Sequence, residues 1–265
     1  MFSALALLAV LGTAPGQADQ LVLSDARITA GILGPTRPRT RFLPGDSLFI
    51  SFEIDGITID DTGKARYSTS TEITDSEGKV VFRGRAQDRE ALAMLGGAKL
   101  PAYAQVDIGL DQPPGEYAVK VMVTDLANKK SQMLTQNFGV LPKGFGMVRP
   151  TLTCDPEGQV PAGAAVPGQS LWLNFLVVGF ARDDKRQPHV TFEMRILDEK
   201  GRPTVAKPFT GKIQEGVPAN ANVLPAQFLL ALNRAGRFTL QMKATDQVTG
   251  KKIEGAYPFI VRPRK

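Results

Sequence analysis

Two acidic doublets, Asp60-Asp61 in IDDTGK and Asp183-Asp184 in ARDDKRQ, come nearest to a chemical arrangement in this sequence. Paired carboxylates can serve as hard oxygen ligands for calcium in loops between strands, or as the acid and base of glycoside hydrolysis. Calcium wants several oxygens converging on one point, commonly in D-x-D-x-D-G spacing. Here Lys64 and Lys185-Arg186 follow the doublets instead. Hydrolysis needs a cleft between the carboxylates, and the sequence carries no sign of one. Each doublet reads as a polar turn after a glycine bend at Gly56 or Gly179, with calcium as the rival reading. No cofactor is expected.

Nucleophilic chemistry is equally thin. His189 is the single histidine and Cys154 the single cysteine, so any Ser-His-Asp or Cys-His set would rest on His189 alone. His189 opens a predicted strand out of phase with its core positions, which places it on the exposed face. There is no G-x-S-x-G elbow and no phosphate-cradling glycine loop. Cys154 has no partner for an internal disulfide and is expected as a buried structural thiol. These residues point away from an enzyme.

The formal charge is +6, which favours anionic partners. The densest basic run is Arg37, Arg39 and Arg41 in TRPRTRF, a candidate anion-binding site. The competing reading is a solvated loop or edge strand, where charge and proline block edge-to-edge pairing. Phe49 and Trp172 stand outward at matching positions. They could stack on sugar rings, or be covered by a loop or the other half of the chain, which is the commoner fate of such aromatics.

The elements that must position these residues announce themselves as a repeat. LPGDSLFISFEIDGITIDD (43–61) returns as VPGQSLWLNFLVVGFARDD (166–184), at an offset of 123 residues from Pro44 to Pro167. Within it, Leu48, Ile50, Phe52 and Ile54 alternate with more polar neighbours, as do Leu171, Leu173, Phe175 and Val177. Period two with one apolar face is the pattern of a half-buried strand. The next strand follows in both copies, Tyr67 to Ile73 and Val190 to Ile196, each closed by an Asp-to-Gly turn, Asp75–Gly78 and Asp198–Gly201. The copies then diverge. GRAQDREALAMLGG predicts a short helix over 87–95, and KPFTGKIQEGVPANAN an irregular stretch. Agreement returns at Val106, Ile108 and Leu110 against Phe228, Leu230 and Leu232, and sharpens at PGEYAVKVMVTD and AGRFTLQMKATD. Tyr117, Val119, Val121 and Val123 there match Phe238, Leu240, Met242 and Ala244.

About seven strands per half, with abundant Gly and Pro and few aromatics, predict an all-β chain. The expected fold is two tandem antiparallel immunoglobulin-like β-sandwiches arising from an internal duplication. The expected organisation is a signal peptide at 1–18, one sandwich over 19–142, a linker at 143–150 and a second sandwich over 151–265. MFSALALLAVLGTAPGQA is an apolar run through Leu11 followed by small residues ending at Ala18, the form of a secretory signal. No later run is long and apolar enough to span a bilayer.

At Gly115-Glu-Tyr117-Ala-Val119 the sequence resembles the penultimate strand of immunoglobulin-like folds, with Tyr117 at the corner position and Val119 where a cysteine would stand. It is similar to the modules of bacterial exported and surface proteins, macroglobulin-type and adhesin-type among them, and to exported bacterial proteins built from two such modules. The resemblance implies architecture and no mechanism. The functional expectation is a non-catalytic exported module, periplasmic, cell-surface or secreted. It would engage an envelope or extracellular protein or a polysaccharide, an anionic one included, with no nucleic acid expected. The alternatives are a carbohydrate-binding accessory domain and a periplasmic chaperone-like protein.

Overall fold

The computed structural model describes residues 20–163 and 165–264; the expected signal segment lies outside them. The chain is all-β and forms two tandem antiparallel sandwiches, each around its own apolar core.

In the first, β1 (Val22–Thr29), β3 (Ser47–Asp55) and β7 (Lys99–Asp107) form a three-stranded sheet in the order β1-β3-β7. The facing sheet runs β2 (Arg41–Phe42), β9 (Ser131–Val140), β8 (Gly115–Asp125), β4 (Lys64–Asp75) and β5 (Val80–Arg83), with β6 (Gln87–Leu92) also paired to β4. In the second sandwich, β10 (Gly146–Thr153), β11 (Ser170–Val178) and β14 (Val223–Ala231) face β13 (Phe209–Ile213), β12 (Val190–Leu197), β15 (Gly236–Asp246) and β16 (Lys252–Val261) in that order.

Alternation places the core as expected. Leu48, Ile50, Phe52 and Ile54 are buried, as are Leu171, Leu173, Phe175 and Val177. Tyr117, Val119, Val121 and Val123 face Phe52's side of the first core, and Phe238, Leu240, Met242 and Ala244 sit in the second. The Tyr117 hydroxyl donates to the Pro113 carbonyl at 2.9 Å, the back-reaching bond of a tyrosine corner. The expected match of Val106, Ile108 and Leu110 to Phe228, Leu230 and Leu232 is out by two residues. Leu48 pairs with Val106 and Leu171 with Leu230, so Val106 answers Leu230 and Ile108 answers Leu232, while Leu110 lies beyond the end of β7 and is 37% exposed.

The two sandwiches share irregular features as well as strands. Both first strands shift register by the same device, between Ser24 and Arg27 and between Val148 and Thr151, around left-handed residues Asp25 (φ 51°) and Arg149 (φ 54°). Gly56 and Gly179 both carry positive φ. A Cβ at either would run into backbone, the Gln20 carbonyl in one case and the Gly144 carbonyl in the other, so only glycine fits. Asp125 and Asp246, both fully buried, accept the backbone N–H of Thr58 (2.8 Å) and Ala181 (3.0 Å) at the ends of equivalent strands.

Three local expectations change. Residues 87–92 are strand, not helix: β4 is twelve residues long, β5 covers it only at Glu72–Thr74, and β6 occupies the remaining edge over Lys64–Thr69. Pairing of an open edge outweighs the helical propensity of Glu90, Ala91 and Leu92, and Glu90 adds ion pairs to Lys64 (2.8 Å) and Arg66 (3.4 Å). The stretch read as irregular contains β13, which covers the matching edge of β12. Strand β10 begins at Gly146, inside the segment expected as linker, because its N-terminal half pairs with the end of β11.

Candidate functional site

The segment between β1 and β2, Ala30–Thr40, forms an arm that leaves the first sandwich and lies against the second. Its base is closed by Ala30 N–H to Pro35 C=O and Arg37 N–H to Ile28 C=O, both 2.9 Å. Its far side meets β16, where the Tyr257 hydroxyl donates to the Ala30 carbonyl at 3.3 Å. Burial pushes the Tyr257 phenol up to about 12.

Beside the arm lies a buried ionic joint. Asp46 is 2% exposed. One carboxylate oxygen accepts the backbone N–H of Ser47 (2.8 Å) and of Arg149 in the other sandwich (2.9 Å). The other oxygen accepts both terminal nitrogens of Arg37 at 3.0 Å. The Arg149 side chain returns across the joint, with Nε donating to the Gly45 carbonyl at 2.8 Å. Arg37 also lies over the Phe42 ring, 4.4 Å from its centroid. A buried carboxylate is tolerable only when its lone pairs and charge are matched, and here both are. The matching residue of the second sandwich is Gln169, whose amide oxygen accepts the Val166 N–H at 3.0 Å. The joint thus belongs to the first copy alone, LPGDS having Asp where VPGQS has Gln.

Between arm and second sandwich runs a groove of about 480 Å³, walled by Arg37, Arg39 and Arg41 on one side and by Glu254, Gly255 and Ala256 of β16 on the other. The three arginines do not act as a set. Arg37 is committed to Asp46, Arg41 pairs with Glu116 at 2.6 Å in solvent, and Arg39 is exposed with no ion pair among the described residues. The joint thus takes one member of the basic run and leaves the groove a single uncommitted guanidinium.

The first aspartate of each acidic doublet folds back on its own turn. Asp60 accepts the Thr62 hydroxyl (2.6 Å) and the N–H groups of Thr62 and Lys64. The hydroxyl bond, foremost, holds its carboxyl below the ordinary range. Asp183 accepts the N–H groups of Lys185 and Gln187, both at 2.9 Å. No group of three or more potential ligands that could hold a metal occurs among the described residues.

His189 is exposed, as its phase requires. Cys154 is also exposed, not buried: it sits just beyond β10, where the chain turns at Asp155–Gly158, and so leaves the strand's buried face. Of the outward aromatics, Phe49 is buried at 9% exposure, while Trp172 is half-buried.

No protein-family model matches the chain, and no curated protein matches it. Among solved structures, the C-terminal domain of the Streptococcus agalactiae AgI/II polypeptide BspA matches at 9% identity, covering 91% of this chain and 100% of that one, with a TM-score of 0.30. A second, BspA_C_WT, matches at 10% identity over 89% and 99%, with a TM-score of 0.26. No helix among the described residues is long and apolar enough to cross a membrane.

Proposed function

We propose that the chain is an exported, non-catalytic binding or structural module, built by duplication of one sandwich, that engages an envelope protein or polysaccharide through the groove between its halves. The observation that carries this reading is the groove itself, which sets exposed Arg39 of the arm and Arg41 of β2 opposite the edge strand β16. Asp60 and Asp183, one member of each acidic doublet, are occupied in capping their own turns. The shared bulges, glycine bends and buried aspartates support duplication, since such irregularities have no reason to recur at matching places in unrelated domains.

The test is retention of an envelope fraction, in protein and polysaccharide arms, by the purified protein over a range of salt. Binding should weaken as salt rises, because exposed charges are screened within about 10 Å at 0.1 M. Arg39→Ser combined with Arg41→Ser should remove that dependence without loss of folding. Equal retention by parent and double variant would refute the groove. A hydrolytic activity lost in Asp60→Asn or Asp183→Asn would refute the non-catalytic reading.

A further inference from the structure

The two sandwiches differ at one place in the seam between their sheets. In the first, β2 pairs in parallel with the end of β9, Phe42 opposite Val140, and the Leu141 N–H donates to the Phe42 carbonyl at 2.8 Å. In the second, Ala165 bridges Val261 in parallel, and the Arg262 N–H donates to the Ala165 carbonyl at 2.7 Å. Phe42 and Ala165 therefore hold equivalent positions.

Their side chains do not. Phe42 is fully buried and meets Phe138 edge-on at 6.1 Å, while Phe138 stacks on Tyr117 at 5.6 Å. The second sandwich keeps the equivalent stack, Phe238 on Phe259 at 5.5 Å, but has only a methyl group where the third ring would be. A cavity of about 710 Å³ opens there, lined by Ala165, Leu152, Leu171, Phe238, Tyr257 and Phe259. Leu33, Gly34 and Pro35 of the arm form one wall. Natural cores are close-packed, and a space of this size with one apolar wall falls in the range of small-molecule sites.

The charged groups around the cavity are Arg237, Arg262, Asp198 and Glu199. Asp198 is held by Arg202 at 3.0 Å. The two arginines have no ion pair among the described residues, and Glu199 is the remaining carboxylate. We propose that this cavity binds a small molecule consisting of an apolar ring and a carboxylate. The ring takes the place that Phe42 fills in the first sandwich, and the carboxylate meets Arg237 and Arg262.

Calorimetric and NMR titration of the two-sandwich protein with 3-phenylpropionate and with toluene tests this. Saturable binding of 3-phenylpropionate is expected, with shifts centred on Ala165, Phe238 and Phe259. Ala165→Phe, which supplies the missing ring, should weaken it at least about tenfold, a change of about 1.4 kcal/mol. Should that variant fold poorly, Ala165→Leu must weaken both probes. Arg237→Ser with Arg262→Ser must weaken 3-phenylpropionate while sparing toluene. The proposal is overturned if neither probe binds at millimolar concentration, or if binding survives Ala165→Phe unchanged. It is equally overturned if only a phenylalanine-bearing peptide binds, since the occupant would then be a protein partner.

Discussion

Asp46 and Arg149, one in each sandwich and 103 residues apart, are joined carboxylate to backbone N–H at 2.9 Å inside the molecule. The bond exists because Arg149 takes the left-handed conformation of the strand bulge, as Asp25 does in the first sandwich. Asp46 thus couples the halves through a feature that each already possessed.

Replacing Asp46 by Ala should therefore leave the half-buried Arg37 without its partner and free the Arg149 N–H. The expected loss is about 3–5 kcal/mol, the usual consequence of halving a buried ion pair. Calorimetry should show the parent's unfolding split into two transitions, one for each sandwich. A variant that still unfolds in a single step at the parent's temperature would show the joint to be dispensable.

Phe52 and Phe175 are 1% and 3% exposed at equivalent core positions. Truncating either to Ala should cost about 3–5 kcal/mol, since the vacated space cannot fully collapse. Urea denaturation of the two variants checks both values. Phe175 also packs edge-on to Phe192 at 5.6 Å, so Phe175→Ala should disturb the Phe192 ring signals as well.

Asp125 sets an acid limit. Burial pushes its carboxyl up, but hydrogen bonds from Thr58 and Ala127 prevail and hold it below the ordinary value. A folded pKa below the unfolded one gives stability that is present above about pH 4, near the unfolded carboxylate value, and is lost as pH falls through the folded pKa. Urea midpoints at neutral pH and at about pH 3 should diverge in the parent, and Asp125→Asn should reduce the difference. An unchanged pH dependence in that variant would exclude Asp125 as its source.

Cys154 should react with a thiol reagent in the native protein at the rate of an exposed cysteine, because it lies outside the strand's buried face. Reductant should leave the melting temperature of the monomer unchanged, since a lone cysteine makes no internal disulfide. Slow labelling that requires denaturant would contradict the exposed position.

Strand identity was legible from residues such as Leu48 to Ile54 because burial of one face imposes period two on the sequence itself. The span 87–92 was misread because its local composition favours helix, while the open edge of β4 that captures it lies some twenty residues away. The acidic doublets were correctly legible as turns, since an Asp that caps the next backbone N–H groups uses only its neighbours. The ionic joint was not: Arg37 looked like one member of a basic run, and nothing near it in the chain declares that Asp46 will take it inward.

The arm carries a consequence for synthesis. Ala30–Thr40 leaves the ribosome more than a hundred residues before β10 and β16, the strands it will lie against. The first sandwich can assemble its own sheets as it emerges, yet the Asp46 oxygen that already accepts the Ser47 N–H must wait for its second donor until Arg149 arrives. Water can serve that oxygen only while the joint stands open, so completion of the second half closes the first.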